Sequence, residues 1–169
     1  MAILLALLLV AFQSPVVSPA IRYLPVSAFD KVPKKVAAAL KSRGCSIPQA
    51  SGKQPNNIVS GSFAHKGQKD WAAVCSVKGE SRIVVLWGGK HRCASESVSV
   101  RDIDSLMDGA YARMLSTASP EQIIRYAKQY RRDLGSPIEH DGLDDGFSGK
   151  ASVVRFCDSG LWQELQGAD

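Results

Sequence analysis

The spacing of apolar residues divides the chain into helical and extended segments. Between Ala28 and Arg43, apolar side chains recur every three or four residues, which predicts an amphipathic helix with one buried face. Gly44 follows directly and is typical of a helix end. The same spacing predicts two further helices, over residues 102–116 and from Ser119 to about Leu134.

The third predicted helix begins with a complete start signal. Ser119 supplies an N-cap, Pro120 a proline at the first helical position, and Gln122 the glutamine of a capping box. Gly135 is placed to end this helix, and its exposed side carries several arginine and lysine residues. Cations near the end of a helix are favourable there without any ligand, so we expect a solvated face.

Short apolar runs bounded by glycine predict β-strands. Residues 58–63, 70–77 and 82–87 predict three consecutive strands, with turns at Lys66-Gly67 and Lys78-Gly79. The predicted elements at the end of the chain are a short turn of helix from Asp141 through Phe147 and a hairpin of residues 151–158 and 161–166 around Ser159-Gly160. Residues 46–57 and 91–99 are predicted loops.

These elements together predict an α+β fold. We expect an antiparallel sheet of about five strands with two to three helices packed on one face. A chain of 169 residues suits one domain, and its hydrophobic fraction of 45% is ordinary for a globular protein. The net charge of +5 is mild and unclustered, so nucleic acid is not an expected partner.

The N-terminal segment predicts export. Ala2 to Phe12 is almost wholly apolar, and Ser18-Pro19-Ala20 places small residues where a signal peptidase cleaves. We expect residues 1–20 to be a signal peptide and residues 21–169 to be the single α+β domain, located in the periplasm or secreted. No lysine or arginine precedes the apolar run, which departs from the usual pattern. The run is shorter than the about 20 residues of a membrane helix, so no transmembrane segment is expected after cleavage.

Export changes the interpretation of the cysteines. The chain has four, with no C-x-x-C pair, and in an oxidising compartment this favours two disulfides over a metal site. Three pairings are possible. We favour Cys45 with Cys75 and Cys93 with Cys157, which would tie the first helix to the first hairpin and the middle loop to the last hairpin. The alternative is free, buried thiols.

One motif resembles a known family. The pattern Gly61-x-Phe63-x-x-x-Gly67-x-x-Asp70-Trp71-Ala72 resembles the FG-GAP repeat of integrin-type propellers, in which it frames a Ca²⁺ loop. Calcium requires six to eight oxygen ligands. The ligand positions of this chain carry Ser62, Ala64 and Lys66, so only Asp70 is retained. We expect the strand-loop-strand geometry without the metal, and a single copy excludes a propeller.

The same stretch and the segments from His140 to Asp169 are together similar to a family of uncharacterised exported bacterial proteins. The resemblance covers most of the chain after the signal peptide, and it implies no activity. The exposed loop of the FG-GAP-like segment carries three cations that form a candidate binding surface: His65, Lys66 and Lys69.

A second candidate site lies near the C-terminus. A histidine among carboxylates is able to act as a general base or to join a metal site. The structural interpretation is stronger, because acidic residues stabilise a helix N-terminus and a single histidine is a poor metal constellation. The residues of this candidate are His140, Asp141, Asp144 and Asp145.

No catalytic motif is present, and neither G-x-S-x-G, H-E-x-x-H nor a phosphate-binding glycine loop occurs. We therefore expect no metal and no cofactor, and a non-enzymatic binding or envelope-associated module whose partner is a protein or an anionic envelope component. The alternative is a hydrolase with a site around His140, Asp141 and Asp144. The tryptophans are expected to pack in the core or between strands rather than form a sugar-binding platform: Trp71, Trp87 and Trp162.

Overall fold

The computed structural model describes residues 21–49, 54–90, 93, 97–102, 113–147 and 151–168. The predicted signal peptide, residues 1–20, lies outside these ranges. The α-helices in them are α1 (Lys34–Ser42) and α2 (Pro120–Gln129). The strands in them are β1 (Arg22–Pro25), β2 (Ser46–Gln49), β3 (Ile58–Gly61), β4 (Asp70–Val77), β5 (Glu80–Leu86), β6 (Ser97–Asp102), β7 (Arg113–Ala118), β8 (Gly142–Phe147), β9 (Ser152–Asp158) and β10 (Leu161–Gln166).

The strands form two antiparallel sheets. The first sheet has the order β1-β2-β4-β5-β6, and β3 also pairs with β4. The second sheet has the order β10-β9-β8-β7. The predicted α+β fold, with two to three helices on one face of a single sheet, is therefore wrong. The described chain is mostly β, and its two helices are short.

The two sheets pack face to face, with one helix on each outer side. Alternate side chains of a strand point to opposite faces, so each sheet contributes to two cores. Between the sheets, Val74 and Ile83 of the first sheet pack with Leu115 and Leu143 of the second. α1 covers the outer face of the first sheet, and α2 covers that of the second. The layers run α1, first sheet, second sheet, α2.

Several predictions that rest on local signals are confirmed, but the helix predicted from Ala28 to Arg43 is too long, because α1 begins at Lys34 after the extended Pro33. β4 has the bounds that were predicted. Lys78 and Gly79 both have positive φ, as do Ser159 and Gly160, which is the requirement of a two-residue type I′ turn. α2 has the predicted capping box, with Ser119 as N-cap, although the helix ends at Gln129 rather than near Leu134.

Three segments that were predicted otherwise are strands. Residues 46–49 form β2 because Ile47 is fully buried and Pro48 accepts a hydrogen bond from Asn57, contacts that a loop pattern does not reveal. The predicted loop 91–99 is wrong at residues 97–99, which belong to β6. The predicted helix 102–116 is wrong at residue 102, which belongs to β6, and at residues 113–116, which belong to β7. Residues 103–112 lie outside the described chain. In β7, Leu115 enters the core between the sheets.

The predicted helical turn from Asp141 through Phe147 is also wrong, because β8 occupies residues 142–147. This strand lies between β7 and β9 in the middle of the second sheet. A Cβ atom at Gly142 would lie 2.7 Å from the carbonyl oxygen of Arg155, so only glycine fits this close approach. The polar composition of β8 is untypical of a buried strand, so the sequence pattern does not predict one. Its Asp145 is buried only because it pairs with Arg113 and Arg155 of the neighbouring strands.

The predicted disulfide pairing is confirmed. Cys45 and Cys75 are joined at an S–S distance of 1.96 Å, and Cys93 and Cys157 at 2.09 Å. The first bridge links the chain just after α1 to β4, and the second links residue 93 to β9 of the other sheet. Two structural disulfides fit an extracellular or otherwise oxidising compartment.

Candidate functional site

The outer face of the first sheet is only partly covered by α1. Alternation along β4 directs Trp71, Ala73, Cys75 and Val77 to this face. Ala73 and Cys75 are buried in the cluster that contains Leu40 of α1. Trp71 and Val77, at the two ends of the strand, are only half-buried. A helix of nine residues therefore covers the middle of the strand and leaves a cleft at each end.

The cleft at one end is called the Trp71 cleft. It has a volume of about 520 Å³, which lies in the usual range for small-molecule sites. Trp71 and Leu86 line it as cross-strand neighbours of β4 and β5. Val36 and Ala39 line it from α1, so one apolar wall is helical and the other is the sheet. This arrangement offers a flat aromatic surface that is open to solvent on one side.

The Trp71 cleft is positively charged. Lys35 of α1 and Lys69, which precedes β4, both line it, and both are exposed. The Lys69 Nζ atom lies 5.8 Å from the centroid of the Trp71 ring, a cation–π distance. Among the residues that the structure describes, no acidic side chain lines this cleft. The cleft therefore suits a ligand that combines a negative charge with a flat apolar face.

A buried carboxylate positions one side of the cleft. Asp70 is fully buried, and its Oδ1 atom accepts hydrogen bonds from the Gly88 N–H at 2.8 Å and from Gln68 Nε2 at 2.7 Å. Its Oδ2 atom accepts from the Ala64 N–H at 3.0 Å. Asp70, the one acidic residue retained from the FG-GAP-like pattern, thus holds the backbone of Ala64 and of Gly88 next to the chain at Lys69. The backbone that carries Lys69 and the glycine segment are therefore held together.

The three residues of the predicted cationic loop do not share one site. His65, Lys66 and Lys69 are all exposed, but only Lys69 lines the Trp71 cleft. The His65 Nδ1 atom lies 3.4 Å from the Lys66 carbonyl oxygen. Residues next to these cations face inward, since Phe63 is fully buried between the sheets. The loop therefore presents His65 and Lys66 to open solvent and Lys69 to the cleft.

In the C-terminal candidate, His140 and Asp141 bind the backbone. His140 is only 2% exposed, and its Nδ1 atom lies 2.9 Å from the Asp141 carbonyl oxygen. Asp141 Oδ2 accepts a hydrogen bond from the Ser62 N–H at 2.8 Å, and the Asp141 N–H donates to the Ser62 oxygen at 3.0 Å. This pair of residues therefore fastens the start of β8 to the end of β3.

The other two members of the candidate lie on opposite faces of β8. Asp145 points between the sheets and is fully buried, and its neighbour Asp144 points to the outer face. Neither the Trp71 cleft nor the cleft at the other end of β4 is lined by these residues or by His140. The hydrolase hypothesis stays a prediction. It requires an opening to His140, whose side chain is packed away from solvent.

A buried ionic network was not predicted from the sequence. Arg113 Nε and Arg155 Nη1 pair with the two carboxylate oxygens of Asp145, at 2.6 Å and 2.8 Å. Arg155 Nε also pairs with Glu164 at 2.8 Å. The members lie on four neighbouring strands of the second sheet, and the paired residues Arg113 and Asp145 are 32 positions apart along the chain. No local pattern marks such a network, because strand pairing alone brings it together.

The tryptophans were expected in the core or in packing between strands. Trp87 and Trp162 are half-buried, stack with ring centroids 5.9 Å apart and pack against the core between the sheets. Trp71 lies on the outer face of the first sheet, and both Trp71 and Trp87 line the cleft. Within the described ranges, no group of three metal-ligating side chains is placed to hold an ion.

The chain was compared with protein-family models, curated proteins and solved structures, and no match was found in any of them. No helix among the described residues has the length and apolar character required to cross a membrane. The physical properties of the site are therefore the basis for a functional conclusion.

Proposed function

We propose that this protein is an exported, non-enzymatic binding module that holds an acidic saccharide in the Trp71 cleft. The observation that carries the proposal is the placement of Lys35 and Lys69 beside the half-buried ring of Trp71, in a cleft lined by no described acidic side chain. The ligand is an anionic envelope component whose sugar ring packs on the indole and whose carboxylate meets the ammonium groups.

The chemistry of the cleft favours a carboxylated sugar over a phosphate group. The phosphate sites that the backbone forms, at helix N-termini and glycine-rich loops, use free N–H groups. Here the Gly88 N–H is already bonded to Asp70, so the positive charge comes from flexible lysine side chains. The C–H groups of a sugar ring are weakly polar and pack on an aromatic face, which Trp71 provides.

The expected affinity is modest. Each exposed lysine contributes only about 0.2 to 1 kcal/mol to an ion pair with the ligand. Packing on one aromatic ring adds about 1 to 3 kcal/mol. A short ligand in this cleft is therefore expected to bind weakly, with a dissociation constant of about 1 mM or above, which corresponds to about 4 kcal/mol or less.

The test is calorimetric titration of the protein with digalacturonate and with its methyl ester, which keeps the rings and removes the charge. We expect the acid to bind and the ester to bind roughly tenfold more weakly. Trp71→Ala and Lys69→Ala each lower affinity for the acid. The matched control is Lys66→Ala, which removes an equal charge from the same loop outside the cleft and leaves the affinity unchanged.

Two results would contradict the proposal. If digalacturonate does not bind, or if Lys66→Ala weakens binding as much as Lys69→Ala does, the cleft is not the site. The export component has its own test, N-terminal sequencing of the secreted or periplasmic protein, which is expected to begin at Ile21. Recovery of the intact N-terminus from the cytoplasm would overturn that component alone.

A further inference from the structure

A second cleft lies at the other end of β4. It has a volume of about 490 Å³, and Val77 and Val84 line it from β4 and β5. Three cations surround this apolar floor: Arg43 just after α1, Lys78 in the turn, and Arg82 of β5. It is called the Arg82 cleft below. Like the Trp71 cleft, it combines an apolar sheet surface with positive charge.

The acidic residue that lines the Arg82 cleft, Glu80, forms an exposed ion pair that a ligand carboxylate is able to replace. Glu80 Oε2 lies 3.1 Å from Arg82 Nη2, and the two side chains are 57% and 42% exposed. An exposed ion pair of this kind contributes about 0 to 1 kcal/mol. A carboxylate of a ligand is therefore able to replace Glu80 at the guanidinium of Arg82 with little loss of stability.

The two clefts share one face of the molecule. Trp71 and Val77 belong to the same row of side chains on β4, six positions apart, which is about 20 Å at about 3.3 Å per residue. α1 lies over the residues between them. This helix contains three lysines and no acidic residue. The element between the two clefts is therefore a positively charged helix, and a ligand that reaches both clefts has to pass over or beside it.

We infer that the Trp71 cleft and the Arg82 cleft are two subsites for one extended acidic polysaccharide. This inference rests on the proposed function and adds the length of the ligand to it. The chain of the polysaccharide packs a ring on Trp71, passes the lysines of α1, and places a further carboxylate at Arg82. A polymer with one carboxylate per sugar matches a surface on which cations recur and described acidic residues are scarce.

The two-subsite arrangement has a quantitative consequence. A ligand that fills one cleft holds its remaining chain near the other, so the second contact is made at a high effective concentration. Avidity of this kind increases affinity by a factor of 100 or more when both sites are engaged. A ligand that is too short to span about 20 Å gains nothing from the second cleft.

The test is titration of the mature chain with oligogalacturonates of increasing length, by calorimetry at fixed ionic strength. We expect affinity to increase by at least about tenfold only once the oligomer is longer than about 20 Å, because α1 lies across the direct path between the clefts. Arg82→Ala is expected to remove this increase and to leave the affinity for digalacturonate unchanged. Arg125→Ala is the matched control, because Arg125 is an exposed arginine of α2 on the opposite side of the molecule.

The outcomes separate this inference from the proposed function. If short and long oligomers bind equally while Trp71→Ala still weakens both, the two-subsite inference is wrong and the Trp71 cleft remains a site. If Arg125→Ala weakens the long oligomers as much as Arg82→Ala does, the length effect is general charge attraction, which also overturns the inference. Absence of binding by every oligomer overturns both proposals. Circular dichroism of each variant checks that it is folded.

Discussion

Arg113 and Asp145 form a side-by-side ion pair between the two sheets, in which the arginine Nε and Nη2 atoms donate to the two carboxylate oxygens at 2.6 Å and 2.8 Å. Both side chains are almost completely buried. Two-point pairing of this kind fixes orientation as well as charge. Because the strands β7 and β8 place these residues on one face, the pair also fixes the register of the second sheet.

Loss of the Asp145 charge is expected to destabilise the fold strongly. Asp145→Asn leaves the guanidinium groups of Arg113 and Arg155 buried without their anion, which costs about 3 to 5 kcal/mol. The measurement is the free energy of unfolding in guanidinium chloride. Asp133→Asn, which removes an exposed carboxylate, is the control and is expected to change stability by less than about 0.5 kcal/mol. Equal effects of the two substitutions would show that the pair is not important for stability.

The two disulfides are expected to contribute unequally. They close loops with sequence separations of 30 and 64 residues, and the entropy lost by the unfolded chain increases with loop length. Both bridges are expected to stabilise by about 4 kcal/mol, with the longer loop the more stabilising. Comparing the double variants Cys45→Ser/Cys75→Ser and Cys93→Ser/Cys157→Ser in denaturant unfolding measures this. A larger loss from the first variant would contradict the loop-length account.

The N-terminus of α2 depends on Ser119. Its hydroxyl accepts a hydrogen bond from the Gln122 N–H at 3.3 Å, while Gln122 Oε1 accepts from the Ser119 N–H at 2.8 Å. Ser119→Ala is expected to cost about 1 kcal/mol of unfolding free energy. The exposed Ser27 provides a matched serine-to-alanine control with an expected change near zero.

The same cap gives a pH-dependent prediction. A hydrogen bond from Ser119 lowers the pKa of Glu121 below its ordinary value. A lowered pKa in the folded state means that the stabilisation is present above the unfolded pKa and is lost as pH falls through the folded pKa. NMR titration is expected to show the pKa of Glu121 rising towards its ordinary value in Ser119→Ala. An unchanged pKa in that variant would refute the hydrogen bond as its cause.

Gly88 is expected to be essential for the shape of the Trp71 cleft. A Cβ atom at this position would lie 2.0 Å from the Lys69 carbonyl oxygen, so Gly88→Ala must displace backbone that lines the cleft. We expect a loss of stability of about 1 to 3 kcal/mol and a weaker affinity for digalacturonate. At Gly89 the nearest atom is Gln68 Oε1 at 2.8 Å, and a side-chain atom shifts at lower cost than backbone, so Gly89→Ala is the control with the smaller effect.

The features that the sequence predicts correctly are those with a local cause. The turn at Ser159-Gly160 needs two residues that tolerate positive φ, and the cap of α2 needs Ser119 and Gln122 three residues apart. Neither depends on the remainder of the fold. The strand β8 does depend on it, because Asp145 becomes a core residue only when Arg113 and Arg155 arrive from other strands. The fold class was wrong for this reason.

The candidate site likewise combines a feature that the local sequence predicts with one that depends on the rest of the fold. Lys69 was recognised as an exposed cation of a loop, whereas Lys35 was indistinguishable from the other lysines on the solvated face of a helix. The two lysines share a cleft because α1 packs on Ala73, whose small side chain allows the helix to approach the sheet. The sequence around Lys35 and the sequence around Lys69 each lack a pattern that predicts this contact between α1 and the first sheet.

Trp87 links the Trp71 cleft to the space between the sheets, because it lines the cleft together with Trp71 and also stacks on Trp162. The stacked pair is expected to dominate the near-ultraviolet circular dichroism, because coupling between indoles depends on their mutual geometry. An occupant of the cleft contacts both Trp71 and Trp87. Occupation of the cleft is thus expected to change the fluorescence and the near-ultraviolet circular dichroism together in a single unlabelled sample.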